Sequence, residues 1–132
     1  MRMWMVPVEG MCNKHLLGEH VEHHMFVGSI KKELSMEGYV RNNLMEPTAL
    51  LDRHDELARE MGRRGMNHKS PLPHHSLGYL TDYQLTATVD VEDSLKDLIT
   101  RCPECHQRMA PIIKDMVENG LLDSDNFPVN VE

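Results

Sequence analysis

The 132-residue sequence has few aromatic residues, no long apolar run and only three cysteines. Aromatic residues make up 5% of the chain, whereas methionine occurs eleven times, which predicts an adaptable aliphatic core. No stretch approaches the roughly twenty apolar residues that cross a bilayer, and no secretory signal pattern is present, so we expect no membrane partner and a cytoplasmic location. Three cysteines without an export signal argue against a disulfide framework and for reduced thiols or a metal site.

Basic residues are also scarce relative to acidic ones. The formal charge of −7 argues against a protein that coats nucleic acid without specificity. Most of the net acidity lies after residue 90, so a local basic face on the N-terminal part is compatible with the composition. The length predicts one compact, monomeric helical domain over residues 1–120, followed by an acidic tail over 121–132.

Helical periodicity predicts an all-α fold of three main helices, with a long loop and an irregular C-terminal segment. The first helix is expected over about 14–34, capped by Asn13 and with an apolar stripe of Leu17, Val21, Met25 and Ile30. The second begins at Pro47 and ends before Gly65. The third is expected over about 91–101.

Turn-forming residues dominate between and after these helices. The segment 66–90 predicts a long loop with a short extended piece at YQLTATV. After the third helix, Pro103 and Pro111 interrupt the chain, and a short helix at PIIKDMVEN precedes a loosely held tail.

The first helix carries an ionisable row, His15, Glu19, Glu22, His23 and Phe26, on one face. A solvated surface face is one interpretation. A metal is another, because His20 and His24 are one turn apart and a residue from elsewhere could complete a shell, although neither H-E-x-x-H nor H-x-x-E-H is present. A third is a carboxylate that moves protons beside an N-terminal nucleophile, since an α-amino group has a pKa of roughly 7.7–8.0.

The order M-R at the start, H-L-x-x-E-x-x-E on the first helix and RHDELAREMGRRGMN on the second resembles the phage pyrimidine-dimer DNA glycosylases of the endonuclease V type over residues 1–103. The resemblance implies an all-α enzyme whose N-terminal amine, here that of Met1, attacks the sugar C1′ and forms an imine. It also implies that Glu22 assists glycosyl cleavage and β-elimination. Arg2 and His15 match residues near the active site of the family, and a bulky Arg2 predicts that Met1 is retained.

The sequence departs from the family in its cations. Two arginines of the family align with Val21 and Met25, basic positions align with Ser94 and Leu98, and RCPECHQR with an acidic tail replaces an aromatic, basic C-terminal segment. Other cations are expected to contact phosphates instead. Lys14, Arg63 and Arg64 are the main candidates, and the others are Lys31, Lys32, Arg53, Lys69, His23, His24, His68, His74 and His75. Pairing with the helix C-terminal dipole is an equal explanation for Arg63 and Arg64.

Two cysteine spacings suggest zinc as an alternative to a protein without cofactor. Cys102 and Cys105 form a C-P-E-C knuckle, and Cys12 with His15 offers a second pair that could close a tetrahedron. A turn with buried thiols is the alternative, and zinc would compete with catalysis for His15.

The sequence therefore predicts a DNA glycosylase with apurinic/apyrimidinic lyase activity on double-stranded DNA that carries a pyrimidine dimer or a related damaged or modified base. The alternative is a non-catalytic DNA-binding or protein-binding module on the same scaffold, stabilised by zinc in one version of that hypothesis.

Overall fold

The computed structural model describes residues 1–67 and 70–127, and this part of the chain is helical with no strand. The all-α prediction is confirmed. No helix in the described residues combines the length and apolarity that crossing a membrane requires. The six α-helices are α1 (Asn13–Lys31), α2 (Glu37–Arg41), α3 (Leu50–Arg63), α4 (Asp82–Leu85), α5 (Val91–Arg101) and α6 (Pro103–Glu118), with 3-10 turns at Val8–Gly10 and Pro47–Ala49.

Side-chain caps explain where several helices begin. Asp90 caps α5 as predicted, accepting the backbone N–H of Asp93 at 3.1 Å. The cap of α1 is Cys12 instead of Asn13, because the Cys12 thiol accepts the N–H of His15. Helix α3 ends at Arg63, before Gly65 as predicted, and the φ of +78° at Gly65 favours glycine.

The buried face of α1 differs from the predicted one. Leu17, Val21 and Met25 are 41%, 53% and 51% exposed, so most of the apolar stripe assigned to the core faces solvent, and only Ile30 of that stripe is buried. The buried face consists of Leu16, Glu19, His20, His23, Phe26, Val27 and Ile30. The prediction was wrong because three ionisable residues of α1 are buried against partners on α3, which hydrophobicity alone does not reveal.

Two further predictions of secondary structure were wrong. The segment expected to be extended near residue 84 contains α4, which a Thr81–Gln84 capping box begins. Helix α6 begins at Pro103, with Cys102 as its cap, and continues through Pro111 instead of starting there.

Residues 121–127 are held more closely than the sequence indicated, because Leu122 and Phe127 are buried. Residues 128–132 of the predicted acidic tail lie outside the described residues.

The core consists of two hydrophobic clusters that share the N-terminal segment. Trp4, Val6 and Val8 belong to a cluster with α5, α6 and the two buried residues after α6. Met3 belongs to the other, with the C-terminal half of α1 and the segments around Val40 and Leu80. The first residues of the chain are therefore fixed between both halves of the molecule.

Candidate active site at the amino terminus

Two hydrogen bonds hold the N-terminal segment close to Met1. The backbone N–H of Met3 donates to the carbonyl of Leu44 at 2.8 Å, and the hydroxyl of Ser94 donates to the carbonyl of Trp4 at 2.6 Å. Met3 is fully buried, whereas Met1 is only half-buried. A terminus anchored two residues from its end keeps its α-amino group in a small region of space.

A cavity of about 450 Å³ opens beside this terminus. The predicted catalytic residues Met1 and Glu22 line the same cavity, as do three of the predicted substrate-binding residues. Its lining consists of Met1, Arg2, Trp4, Lys14, His15, Gly18, Glu19, Glu22, Leu44 and Arg101. The structure therefore brings together an amine, a half-buried carboxylate and several cations in a chain that is acidic overall.

Arg2 is held by three contacts at the wall of this cavity. Its Nη1 donates to Asp97 Oδ2 at 3.1 Å and its Nη2 donates to Ser94 Oγ at 2.9 Å. The guanidinium also lies 4.0 Å from the ring centroid of Trp4, a cation–π distance. Burial lowers the pKa of Arg2, and the neighbouring Asp97 opposes that effect.

Arg101 completes the cationic wall and was not among the predicted site residues. It follows α1 by about seventy positions and is exposed at the end of α5, where its Nε donates to Asp97 Oδ1 at 2.8 Å. Asp97 therefore pairs with both Arg2 and Arg101. No local motif marks Arg101, because its role depends on how α5 packs beside the N-terminal segment.

Glu19 differs from Glu22 in its surroundings. Glu19 is 1% exposed and accepts two hydrogen bonds from Arg53, at 2.8 and 2.9 Å, while His23 Nε2 lies 3.3 Å from the same carboxylate. Burial raises the pKa of Glu19, but the bonds from Arg53 and His23 outweigh it and hold the pKa below its usual range. Glu19 is thus a structural carboxylate that is ionised at neutral pH.

The four residues of the predicted zinc alternative lie together. Cys12, His15, Cys102 and Cys105 each offer a ligand atom, and these atoms are all within 4.8 Å of one another. The cluster could hold a metal ion. His15 also lines the cavity, and burial lowers its pKa, which favours the neutral imidazole that metals bind.

The thiols of this cluster differ in acidity. Burial raises the pKa of Cys105 to about 12. Burial also acts against ionisation of Cys102, but its pKa is lowered overall because backbone and thiol donors, chiefly Cys105, bond to its sulfur. A nearby divalent cation is the kind of charge that would ionise all three thiols together.

Several predicted phosphate-binding cations have other surroundings. Arg53 is 4% exposed and His23 is 0% exposed, so the expectation that these two contact phosphates was wrong. Arg63 and Arg64 do not line the cavity; each donates to Glu60 at 2.8 Å, and Arg64 also donates to Asn13 and to the carbonyl of Val8. Three other candidates, Lys31, Lys32 and His74, are exposed and do not line the cavity. His68 and Lys69 lie outside the described residues.

The comparisons with known proteins give one match. A family model described as pyrimidine dimer DNA glycosylase matches residues 1–74. The matched part includes Met1 and Glu22 and ends before the Cys102–Cys105 knuckle. No curated protein and no solved structure matches the chain. Since the family model covers more than half of the sequence, the chain belongs to the pyrimidine dimer DNA glycosylase family.

Proposed function

We propose that this protein is a DNA glycosylase with apurinic/apyrimidinic lyase activity, in which Met1 is the nucleophile and Glu22 is the general acid and base. The substrate is double-stranded DNA with a pyrimidine dimer or a related damaged base, and the enzyme acts as a cytoplasmic monomer. The observation that carries this proposal is that Met1 and Glu22, which the family resemblance selects, line one cavity beside a fixed terminus.

The proposed chemistry needs only groups of this cavity. The neutral α-amino nitrogen of Met1 forms a bond to C1′ of the damaged nucleotide as the bond from C1′ to the base breaks, and the base leaves with a proton supplied by Glu22. The Glu22 carboxylate then takes a proton from the amine and passes it to O4′ of the sugar as the C1′–O4′ bond breaks, which opens the ring and gives a protonated imine at C1′. Glu22 removes a proton from C2′, the C3′–O bond breaks with the 3′ phosphate as leaving group, and water hydrolyses the imine.

Cations of the cavity wall have a binding role in this proposal. Lys14 is exposed at the start of α1. Arg2 and Arg101 both form ion pairs with Asp97 of α5. Positive charge beside the reacting sugar holds its flanking phosphates and sets the register of the strand. The damaged base is already weakly stacked, which reduces the free energy needed to turn a nucleotide out of the duplex.

Borohydride trapping tests the proposal directly. Untagged protein, shown by intact mass to carry a free Met1 amine, is incubated with borohydride and a duplex containing one cyclobutane thymine dimer or one abasic site. We expect a covalent adduct with the dimer duplex that disappears when an uncleaved extension precedes Met1. Glu22→Gln should lower dimer cleavage by roughly 10²–10⁴-fold, the usual contribution of a positioned proton-transfer group.

Glu118→Gln is the matched control, because it removes the same charge from an exposed position at the end of α6. Its cleavage rate should equal that of the unaltered protein. An adduct only with the abasic duplex would contradict the dimer as substrate and retain the amine chemistry. No adduct with either duplex would contradict the enzymatic proposal and favour the non-catalytic DNA-binding module.

We also propose that Cys12, His15, Cys102 and Cys105 bind one structural zinc ion. Tetrahedral zinc with usual bond lengths requires sulfur–sulfur separations of about 3.8 Å and sulfur–nitrogen separations of about 3.6 Å. The Cys12 and Cys102 sulfurs are 3.8 Å apart, and His15 Nδ1 lies 3.6 Å from Cys105 and 3.2 Å from Cys12. Backbone N–H groups donate to all three sulfurs, an arrangement that supports thiolates.

Such an ion would join the start of α1 to the start of α6, next to the cavity. It would take the Nδ1 of His15, so the proposed catalysis uses Met1 and Glu22 without proton transfer by His15. The three cysteines of the chain are all in this cluster, which makes its spectroscopic signature unambiguous.

Cobalt substitution tests the zinc proposal. We expect one equivalent of bound zinc after purification, and a thiolate-to-cobalt charge-transfer band when cobalt replaces it. Cys102→Ser should weaken that band and lower the melting temperature, because a structural zinc contributes directly to the free energy of folding. His106→Gln serves as control, since His106 lies beside the knuckle but outside the cluster. Cobalt binding without any thiolate band would contradict the proposal.

A further inference from the structure

We propose that His20, His24 and His54 form a second metal site, which binds a divalent transition-metal ion between α1 and α3. His20 and His24 lie one turn apart on α1, and the next positions on the same face, Leu16 and Gly28, carry no ligand atom. The third ligand comes from α3, thirty residues later, where His54 faces them. The ligand nitrogens of the three side chains are all within 4.8 Å of one another.

The three imidazole rings are spaced as they would be around a single ion. Their centroids form a nearly equilateral triangle, with separations of 5.0, 4.8 and 5.0 Å. A metal–nitrogen bond of about 2.0–2.1 Å places each ring centroid about 3.2 Å from the ion, and tetrahedral angles then separate two centroids by about 5 Å. The rings are mutually inclined by 34°, 61° and 77°, so they are not stacked in parallel.

Two ring nitrogens also converge on one backbone oxygen. Nε2 of His24 and Nε2 of His54 lie 3.1 and 3.2 Å from the carbonyl oxygen of Ser70. A small region bounded by two imidazole nitrogens and a carbonyl oxygen suits a borderline cation such as zinc. The ion would connect three separate parts of the chain.

Asp55 orients one ligand in the manner of known metal sites. Its Oδ1 lies 2.9 Å from Nδ1 of His54, the position of the carboxylate that accepts the ring N–H of a metal-binding histidine. With Nδ1 directed to Asp55, Nε2 is the nitrogen that would face the ion, on the side of the Ser70 carbonyl.

The burial of the three histidines indicates from which side an ion would enter and which helices it would connect. His20 and His54 are 7% and 1% exposed, whereas His24 is half-buried and leaves one side of the triangle open. Glu22 lies two residues from both His20 and His24, so it projects from nearly the opposite side of α1. The ion would therefore fix α1 against α3 without entering the cavity that Glu22 lines.

Metal stoichiometry of the purified protein, followed by titration with zinc and with cobalt, tests the inference. We expect an equivalent of cobalt that produces visible d–d bands without a thiolate charge-transfer band, in addition to any ion held by the cysteines. His24→Gln should abolish this equivalent, since His24 is part-exposed and its replacement leaves the core in place. Asp55→Asn should weaken it roughly 10–100-fold, the usual effect of losing the partner of a ligating histidine.

His74→Gln and Asp52→Asn are matched controls, because both residues are exposed and lie outside the cluster. Both should bind metal as the unaltered protein does. The inference is overturned if the unaltered protein binds no ion through nitrogen ligands alone, or if His24→Gln keeps its affinity. A failure of borohydride trapping would leave these titrations unchanged, so the two proposals are tested separately.

Discussion

Glu19 and Arg53 show how a single buried pair determines the orientation of α1. The carboxylate of Glu19 accepts hydrogen bonds from both Nε and Nη2 of Arg53. Arg53 also donates to Glu56 at 2.7 Å. A bidentate pair of this kind satisfies the guanidinium fork and leaves little freedom to either side chain. Because Glu19 also lines the cavity, the pair connects the core of α1 and α3 to the wall of the candidate active site.

Replacing Glu19 by glutamine should lower the free energy of unfolding by about 3 kcal/mol at neutral pH, because the change leaves a buried guanidinium without its main counter-charge. The pKa of Glu19 is below its usual range in the folded protein. Its stabilisation is therefore full above the unfolded-state pKa of about 4.3 and is lost as the pH falls further, through the lower folded pKa. Urea unfolding at neutral and acidic pH would measure both effects.

Glu56→Gln is the matched control for this prediction. Glu56 contacts the same arginine, but its side chain is 47% exposed, so its loss should cost less than about 1 kcal/mol. A Glu19→Gln protein as stable as Glu56→Gln at neutral pH would contradict the assignment of Glu19 as a structural carboxylate.

Individual helices differed in how far the sequence could predict them. Helix α3 was predicted closely because Pro47 in the 3-10 turn before it, Gly65 after its end and apolar residues at helical spacing all agree. The position of α1 in the sequence was predicted correctly, but the face of the helix that is buried was not. The residues that orient it, Arg53 and His54, lie on another helix, and a single-helix pattern contains no information about them.

Helix α6 illustrates a second limit. Pro111 removes one backbone hydrogen bond and normally interrupts a helix, which led to the prediction of a break. Here Cys105, Met109 and Ile113 are buried on both sides of Pro111, and their packing outweighs the local cost. The cap of the same helix is Cys102, for which the sequence suggested a metal ligand or a buried thiol.

The whole molecule determines which residues meet at the cavity. Met1 and His15 lie near the start of the sequence and Arg101 lies far along it, and only the first two were predicted as site residues. Met1 and Glu22 were predicted as the reacting pair from the ionisable row on the first helix and from the family motif, and both line the cavity. Arg101 and Trp4 were not predictable, because the packing of α5 on the N-terminal segment brings them there.

The residues after α6 provide a test of this long-range organisation. Phe127 is 2% exposed and packs in the cluster that contains Trp4, Val6 and Leu98. Phe127→Ala should lower the free energy of unfolding by about 3–5 kcal/mol, as large-to-small changes of buried aromatic residues do. Since the same cluster holds the segment next to Met1, imine trapping should also slow at temperatures where the protein stays folded.

Leu121→Ala is the matched control for that change, because Leu121 is 69% exposed and its truncation should alter stability by no more than about 0.5 kcal/mol. Thermal and urea unfolding of the two variants, beside trapping rates on the abasic duplex, would separate the contributions. Equal stability of both variants would show that the chain after α6 is dispensable for the core. A destabilised Phe127→Ala protein with unchanged trapping would show instead that the N-terminal segment is held independently, by its bonds to Leu44 and Ser94.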